Sequence, residues 1–262
     1  MTGLPMGLHR EARRLGELGV AGYTRRMLTN PLIAIGNRVR EPRYHCPCCG
    51  WRGARFFGYF GHGYTIANMV CPGCGSQPRH RGLHSLITRE IARLAPGGRI
   101  LHLAPEHALE SVFAAHPGLR RIRTDLRMRA VDVRADATRM PFAAASFALV
   151  IASHLLEHIR DDHAVLAEMA RVTAPEGRAI VAVPMFPDWQ VRPTEEYPAP
   201  NPQVDDHWRT YGGDLAGRIE RAGFSCAPVE FQDMVAAAEF ESFGMRPGVV
   251  FIAGKPSGSP VS

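Results

Sequence analysis

The stretch Phe147 to Ile159, FALVIASHLLEHI, limits what this chain can fold into more than any other. An apolar run from Phe147 to Ala152 stops at Ser153, and a His-Leu-Leu-Glu-His turn follows at once. A helical pattern resumes at Asp161. A buried parallel strand feeding a helix reads this way, and ligands of such sheets sit beyond the carboxyl ends of the strands. Ser153, His154, Glu157 and His158 therefore stand where chemistry is expected.

The flanking sequence continues the alternation. Asp161 and Asp162 can cap a helix whose apolar residues Val165, Leu166, Met169 and Val172 recur at helical spacing. Pro175 and Gly177 should end it, and GRAIVAVP (177–184) reads as the next strand. Upstream, the Pro96-Gly97-Gly98 turn leads into RILHLA (99–104), a strand candidate, and PEHALESVFAAH (105–116) reads as a helix with Pro at its start. LRRIRTDL (119–126) gives a second strand ending at Asp125, 19 residues beyond Glu106. An acid at about that distance from a first strand–helix turn suits hydrogen bonding to ribose hydroxyls. AVDVRADATRMPF (130–142) adds a third strand ending near Asp136.

Taken together, SHLLEHIRDDHAVLAEMARVTAPEGRAIVAVP resembles the corresponding region of class I S-adenosylmethionine (SAM) methyltransferases of the ubiquinone/type-11 kind, and the resemblance covers roughly residues 97–254. It implies an α/β fold: a seven-stranded, doubly wound, Rossmann-like sheet whose last strand, GVVFIAG (248–254), runs antiparallel. It also implies SAM as cofactor. Asp125 with Leu126 would then lie at the ribose, Asp136 with Ala137 at the adenine, and Ser153 at the end of the fourth strand. The first loop departs from the family, where an acid and glycines close to LDLGxGxG are usual. Here His102 takes the acid position and Ala104, Glu106 and Ala108 fill the glycine positions. The loop is similar to that of a subgroup with LHxAPE, in which Glu106 can meet the ammonium of the methionine part. A degenerate, cofactor-free scaffold is the alternative raised by the missing glycines.

The segment after Pro184 holds Pro187, Pro193, Pro198, Pro200 and Pro202, and is expected to form neither a helix nor a regular strand. Its aromatics (Phe186, Trp189, Tyr197, Trp208) argue against disorder, so residues 184–212 read as a substrate lid. DDHWRTYG (205–212) resembles the family's DHxRxYG, which implies that His207, Arg209 and Tyr211 lie near the methyl acceptor, with Trp189 beside them. His154, His158 and His207 are the candidate catalytic bases, since imidazole ordinarily titrates near neutrality. His154-Leu-Leu-Glu157-His158 also fits H-x-x-E-H, the inverted zinc-protease motif. That site needs a long helix and a distant acid such as Glu230 or Glu239, whereas here the motif opens a short turn.

Cys46-Pro-Cys48-Cys49-Gly50 and Cys71-Pro-Gly-Cys74-Gly75 are two knuckles separated by 21 residues. Paired C-x-x-C at such spacing signals a tetrahedral structural zinc held by Cys46, Cys49, Cys71 and Cys74, with Cys48 intervening. The aromatic, glycine-rich stretch between them suits the hairpins of a zinc ribbon. CPGCGSQPRHR resembles a CPxCGSxxRHR stretch that precedes the same LHxAPE methyltransferases. Disulfides are disfavoured because no signal peptide is evident and cytoplasmic thiols stay reduced.

Residues 1–43 thus read as a basic lead segment, helical or partly disordered, broken by Gly16, Gly19, Gly22 and Pro31. Residues 44–78 form the zinc-ribbon-like module, 79–96 a connecting helix packing it onto the next domain, 97–256 the methyltransferase domain and 257–262 a disordered tail. The formal charge of +6 is concentrated in residues 1–43, where eight Arg oppose three Glu. The near-neutral remainder weighs against an RNA methyltransferase, the other enzyme reading, and favours a small-molecule acceptor with an oxygen or nitrogen nucleophile. No apolar run approaches the roughly 20 residues that span a bilayer.

Overall fold

A computed structural model of the chain describes residues 6–60 and 64–256; the tail assigned to 257–262 lies outside the described residues. The chain forms two compact units, one of residues up to Ser85 together with Val235–Arg246, the other of Leu86–Met234 with the residues from Pro247 onward.

The first unit opens with helix α1 (Met6–Val39), which runs continuously through the glycines and Pro31 expected to break it. Proline in a helix interior removes one backbone hydrogen bond. The helix is held from outside: it packs on β3, and Asn37 both donates to the Arg55 carbonyl (2.9 Å) and accepts from the Arg55 amide (2.8 Å). Two small antiparallel hairpins follow, β1 (Tyr44–His45) with β2 (Arg52–Gly53), and β3 (Phe57–Phe60) with β4 (Thr65–Val70). Helix α2 (Pro78–Ile91) carries Arg81, fully buried, whose guanidinium donates to the carbonyls of Ser76 (2.7 Å) and Gly244 (2.9 Å) and lies 4.2 Å from the Phe56 ring centre. Arg81 thereby fastens the residue after the second cysteine knuckle to Gly244, far along the chain.

The second unit is built on one sheet. Its parallel strands are β5 (Arg99–Leu103), β6 (Arg120–Asp125), β7 (Val133–Arg134), β8 (Phe147–Ser153) and β9 (Thr173–Ala182). Between β5 and β6 a 3-10 turn (His107–Leu109) precedes the short helix α3 (Glu110–Ala114), and between β8 and β9 lies α4 (Asp162–Val172). The Asp161 side chain caps α4 by accepting from the Ala164 amide at 2.9 Å. The helix passes directly into β9 at Thr173, ahead of the Pro175 and Gly177 expected to end it.

Residues 184–212 differ from the irregular segment expected. They contain a hairpin of β10 (Glu195–Asn201) and β11 (His207–Thr210). The register shifts between Glu196 and Asn201, so Pro198 and Pro200 fall in the unpaired stretch, where a missing amide costs no ladder bond. Helix α5 (Leu215–Arg221), strand β12 (Ser225–Glu230), α6 (Ala237–Ser242) and strand β13 (Val249–Gly254) complete the chain. The third strand read at 130–142 shrinks to two residues, because Asp136 turns the chain through a bridge with Arg139.

The seven strands lie in the order β12-β13-β9-β8-β5-β6-β7, with β13 antiparallel to both neighbours. The winding reverses between β5 and β8, so a crevice opens beyond their carboxyl ends. Val150, Ala152, Leu101 and Leu103 of the central strands are at most 1% exposed and pack with Val165, Leu166 and Met169 of α4.

Gly212 joins the hairpin to α5, and a Cβ there would collide with the Arg192 carbonyl oxygen and the Pro193 carbonyl carbon. Both obstacles are backbone, so Gly212→Ala should destabilise this unit by about 1–3 kcal/mol, as overpacking does. Scanning calorimetry checks this: an unchanged midpoint would mean that residues 192–193 give way freely.

Candidate functional site

The strands around the crevice end on strained backbone. Ala104, after β5, has φ +46°, and His154, after β8, has φ +50°. This left-handed region is where glycine is normally placed, so Ala104 adopts the backbone shape of the missing glycine despite its methyl group. Its amide is tied to the Thr124 carbonyl of β6 (2.9 Å), and that of His154 to the Ala182 carbonyl of β9 (2.8 Å). Two residues beyond Ala104, the Glu106 carboxylate accepts a 2.6 Å hydrogen bond from the Ser153 hydroxyl. That bond joins the ends of β5 and β8 across the crevice.

Asp125 ends β6, and its Oδ1 accepts from the amides of Arg127 (2.6 Å) and Met128 (2.7 Å). Among the described residues no group donates to Oδ2. The neighbouring Leu126 is 53% exposed. Asp136 accepts from the amide and hydroxyl of Thr138, and the backbone amide is the main cause holding its carboxyl below the usual range. Ala137 packs against the core.

His102 departs from expectation. It is fully buried, neither ring nitrogen has a hydrogen-bond partner among the described residues, and its ring lies 5.3 Å from that of Phe113. Alternation along β5 turns the side chain at this position toward α3, so it is a buried residue packed on Phe113.

Arg209 and Tyr211 are also buried, at 3% and 0% exposure, and their polar atoms are spent inside the protein. Arg209 donates to the carbonyls of Leu156 (3.1 Å), Ile159 (2.7 Å) and Arg160 (2.5 Å), and its Nε pairs with Glu196 at 2.8 Å. The Tyr211 hydroxyl donates to Asp162 Oδ2 at 2.9 Å, and burial pushes its phenol above the usual range. Arg209 thereby holds the turn after β8 in place, and Tyr211 braces the start of α4. Trp189 packs on the core, its ring 6.0 Å from Phe251.

That turn carries the histidines. His154 and exposed His158 flank Glu157, which is fully buried, and His207 of β11 meets His158 edge to face with ring centres 4.8 Å apart. Burial lowers the His207 imidazole below its usual range. Glu157 Oε1 lies 3.1 Å from His154 Nδ1, and among the described residues neither Glu157 oxygen has a hydrogen bond of good geometry. The hairpin, α4 and α5 are joined by an ion-pair network that the sequence did not reveal, in which Arg218 pairs with buried Asp162 (3.0 Å) and with exposed Glu196 (2.8 Å). Its members are far apart in the chain, and no local spacing links them.

In the first unit the sulfurs of Cys46, Cys49, Cys71 and Cys74 lie within 4.8 Å of one another. Cys46–Cys74 and Cys49–Cys71 are each 3.7 Å apart. A tetrahedron with metal–sulfur bonds of about 2.3 Å has edges of about 3.8 Å, so the donor set fits zinc. Gly50 and Gly75 accept the left-handed turn of each knuckle at φ +73°, and the Gly73 amide donates to Cys71 Sγ. Hydrogen bonding, first from Cys48, pulls Cys46 far below the ordinary thiol range. Cys48 Sγ also lies 3.8 Å from the His80 carbonyl oxygen and is not one of the four clustered sulfurs.

A family model described as "Methyltransferase domain" matches residues 94–181. The demethylmenaquinone methyltransferase of Mycolicibacterium vanbaalenii is 32% identical over 166 residues, spanning 53% of this chain and 73% of that protein. The chain belongs to the class I SAM-dependent methyltransferase family. The demethylmenaquinone methyltransferase of Mycobacterium marinum is 37% identical over 103 residues, which covers 36% of this chain and 45% of the relative's length. Among solved structures, a Burkholderia thailandensis 1,6-didemethyltoxoflavin-N1-methyltransferase with bound S-adenosylhomocysteine aligns at TM-score 0.48 and 16% identity, over 67% of this chain and 77% of that one. No described helix of this family member is long and apolar enough to cross a membrane.

Burial holds His102 at about 4, below the 6.5 of an unburied imidazole. The unfolded chain therefore takes up this proton first, so the stability is complete above pH 6.5 and drains away as pH falls toward 4. Between pH 7 and 4.5 the loss should be about 2–3 kcal/mol. His102→Asn should remove that part of the acid slope in urea unfolding followed across this window; an equally steep slope in the variant would assign it to other groups.

Proposed function

We propose that this protein transfers the methyl group of SAM to an oxygen or nitrogen nucleophile of a small-molecule acceptor. The observation that carries the reading is the hydrogen bond between Ser153 and Glu106, which closes the strand ends where the sheet's winding reverses. Ligands of open α/β sheets bind at that point. The residues suit SAM by their chemistry. Ala104 gives the loop the turn a glycine would, Glu106 can face an ammonium group, and Asp125 offers a carboxylate oxygen to ribose hydroxyls. Asp136 and Ala137 would border the adenine.

Bound SAM supplies an electrophilic methyl group on a sulfonium. The protein's part is to hold the nucleophile in line, which in favourable cases is worth about 7–11 kcal/mol. His154, His158 and His207, gathered on the turn after β8, are the groups that would take a proton from the acceptor. Arg209 and Tyr211 act as positioning residues for that turn. The demethylmenaquinone named for the relatives is a small organic acceptor, which favours this class over RNA. The near-neutral charge of residues 44–262 agrees with it.

Asp125→Ala should weaken SAM and its demethylated product alike, because the ribose is common to both. Loss of a charge-assisted hydrogen bond costs about 1.5–3 kcal/mol, roughly 10- to 150-fold in affinity. Calorimetric titration measures this, and wild-type protein that binds no SAM at millimolar ligand would leave only the scaffold reading.

The cysteine cluster would hold one structural zinc, which in small modules contributes on the order of 10–16 kcal/mol. Cys71→Ser should release the metal and unfold the hairpins, while Cys48→Ser should keep it. Elemental analysis decides: full zinc occupancy after Cys71→Ser would remove this assignment.

A further inference from the structure

Glu157 presents an unusual physical situation. Its carboxylate is fully buried, and among the described residues neither oxygen has a hydrogen bond of good geometry. An ionised carboxylate left this way costs several kcal/mol unless something of opposite charge is beside it. The neighbours that face it are imidazoles. His154 Nδ1 is 3.1 Å from Oε1, and one donor atom each of Glu157, His158 and His207 lies within 4.8 Å of the other two. His207 is itself 7% exposed and comes from a different element, 49 residues along the chain.

We propose that Glu157, His158 and His207 form a binding site for a divalent first-row transition metal that leaves coordination positions open to the methyl acceptor. Two imidazoles and one carboxylate are the donor set of metal centres that keep positions free for a ligand. Donor atoms bound at about 2.0–2.2 Å to one ion stand about 3–4 Å apart. The exposed His158 can close that difference by side-chain rotation, whereas Glu157 and His207 are already fixed by burial. Arg209 locks the carbonyls of Leu156, Ile159 and Arg160, so the two ligands on the turn move as one piece. His154 stays outside the ion and orients the carboxylate, as groups behind metal ligands do. The cysteine cluster is a separate, four-thiolate set of the other unit.

The consequence is a narrower acceptor. With the ion bound, His158 and His207 serve as ligands and no longer as bases; an oxygen nucleophile at the open position then loses its proton to solvent more readily, because the cation stabilises the resulting oxyanion. The new O–CH3 bond then forms as the sulfonium S–CH3 bond breaks, and the thioether leaves neutral. This assigns a hydroxyl acceptor rather than an amine, and it rests on the methyl-transfer reading; the metal site itself does not.

The test is titration of the full chain, as purified, with Mn2+, followed by loss of the free-ion signal in electron paramagnetic resonance. Manganese favours nitrogen and oxygen donors over thiolates, so it does not report on the cysteine cluster. One Mn2+ should bind per chain, and Glu157→Gln and His158→Ala should each weaken binding at least tenfold. His158 is exposed, so that variant keeps its fold even if the change at Glu157 does not, and circular dichroism verifies both. Absence of Mn2+ binding at millimolar concentration, or equal affinity in His158→Ala, overturns the site. SAM calorimetry on the same samples separates the two readings: Mn2+ binding without SAM binding upholds the metal site and removes the methyl-transfer reading.

Discussion

Asp162 is 2% exposed, and three side chains converge on its carboxylate: the Tyr211 hydroxyl at 2.9 Å, Arg218 at 3.0 Å and Arg209 at 3.8 Å. It is also the first residue of α4, where the helix dipole favours negative charge. Removing one partner from such a network leaves an uncompensated buried charge, which is far more costly than never having built it. The network therefore works as a register device. It sets β11 against the turn after β8, and only in that register does His207 reach His158. Everything inferred about the acceptor side depends on this placement.

The cofactor side is organised by backbone rather than by charge. β5 and β8 are neighbours in the sheet although β6 and β7 intervene in sequence, and both strands end on left-handed residues. Non-glycine residues hold that conformation at a cost of roughly 1–3 kcal/mol, and it persists where the surroundings over-determine it. Here the amides of Ala104 and His154 are each bonded to the neighbouring strand, which supplies the constraint. The loop keeps the shape of a glycine-rich turn without its glycines. Glu106, standing where a glycine would, gains a carboxylate aimed at Ser153.

The same division of labour appears in the first unit. The knuckles bring four thiols to one point through two left-handed glycines, and Arg81 then secures the second knuckle by donating to backbone carbonyls on both sides. Burying a guanidinium is expensive, and desolvation lowers its basicity. Its position over the Phe56 ring and its carbonyl partners offset that cost.

The reversed direction of the last strand was legible only through the family resemblance, whereas the sequence by itself determined the strand–helix alternation and the parallel character of the central strands. Those properties follow from local patterns: apolar runs, turn residues and helical spacing. It also marked Glu106, Asp125 and Ser153 as strand-end residues and the cysteines as a set of four, because each is legible from spacing along the chain. Tertiary structure alone decided what those positions face. His102 looked like the acid position of a cofactor loop, and the pleat of β5 turned it into the core. Arg209 and Tyr211 looked like acceptor contacts, and Asp162, 47 and 49 residues away, drew them inside. The proline-rich segment looked irregular, yet a register shift let it pair as a hairpin. In each case a long-range contact, invisible to any local window, outweighed the local preference.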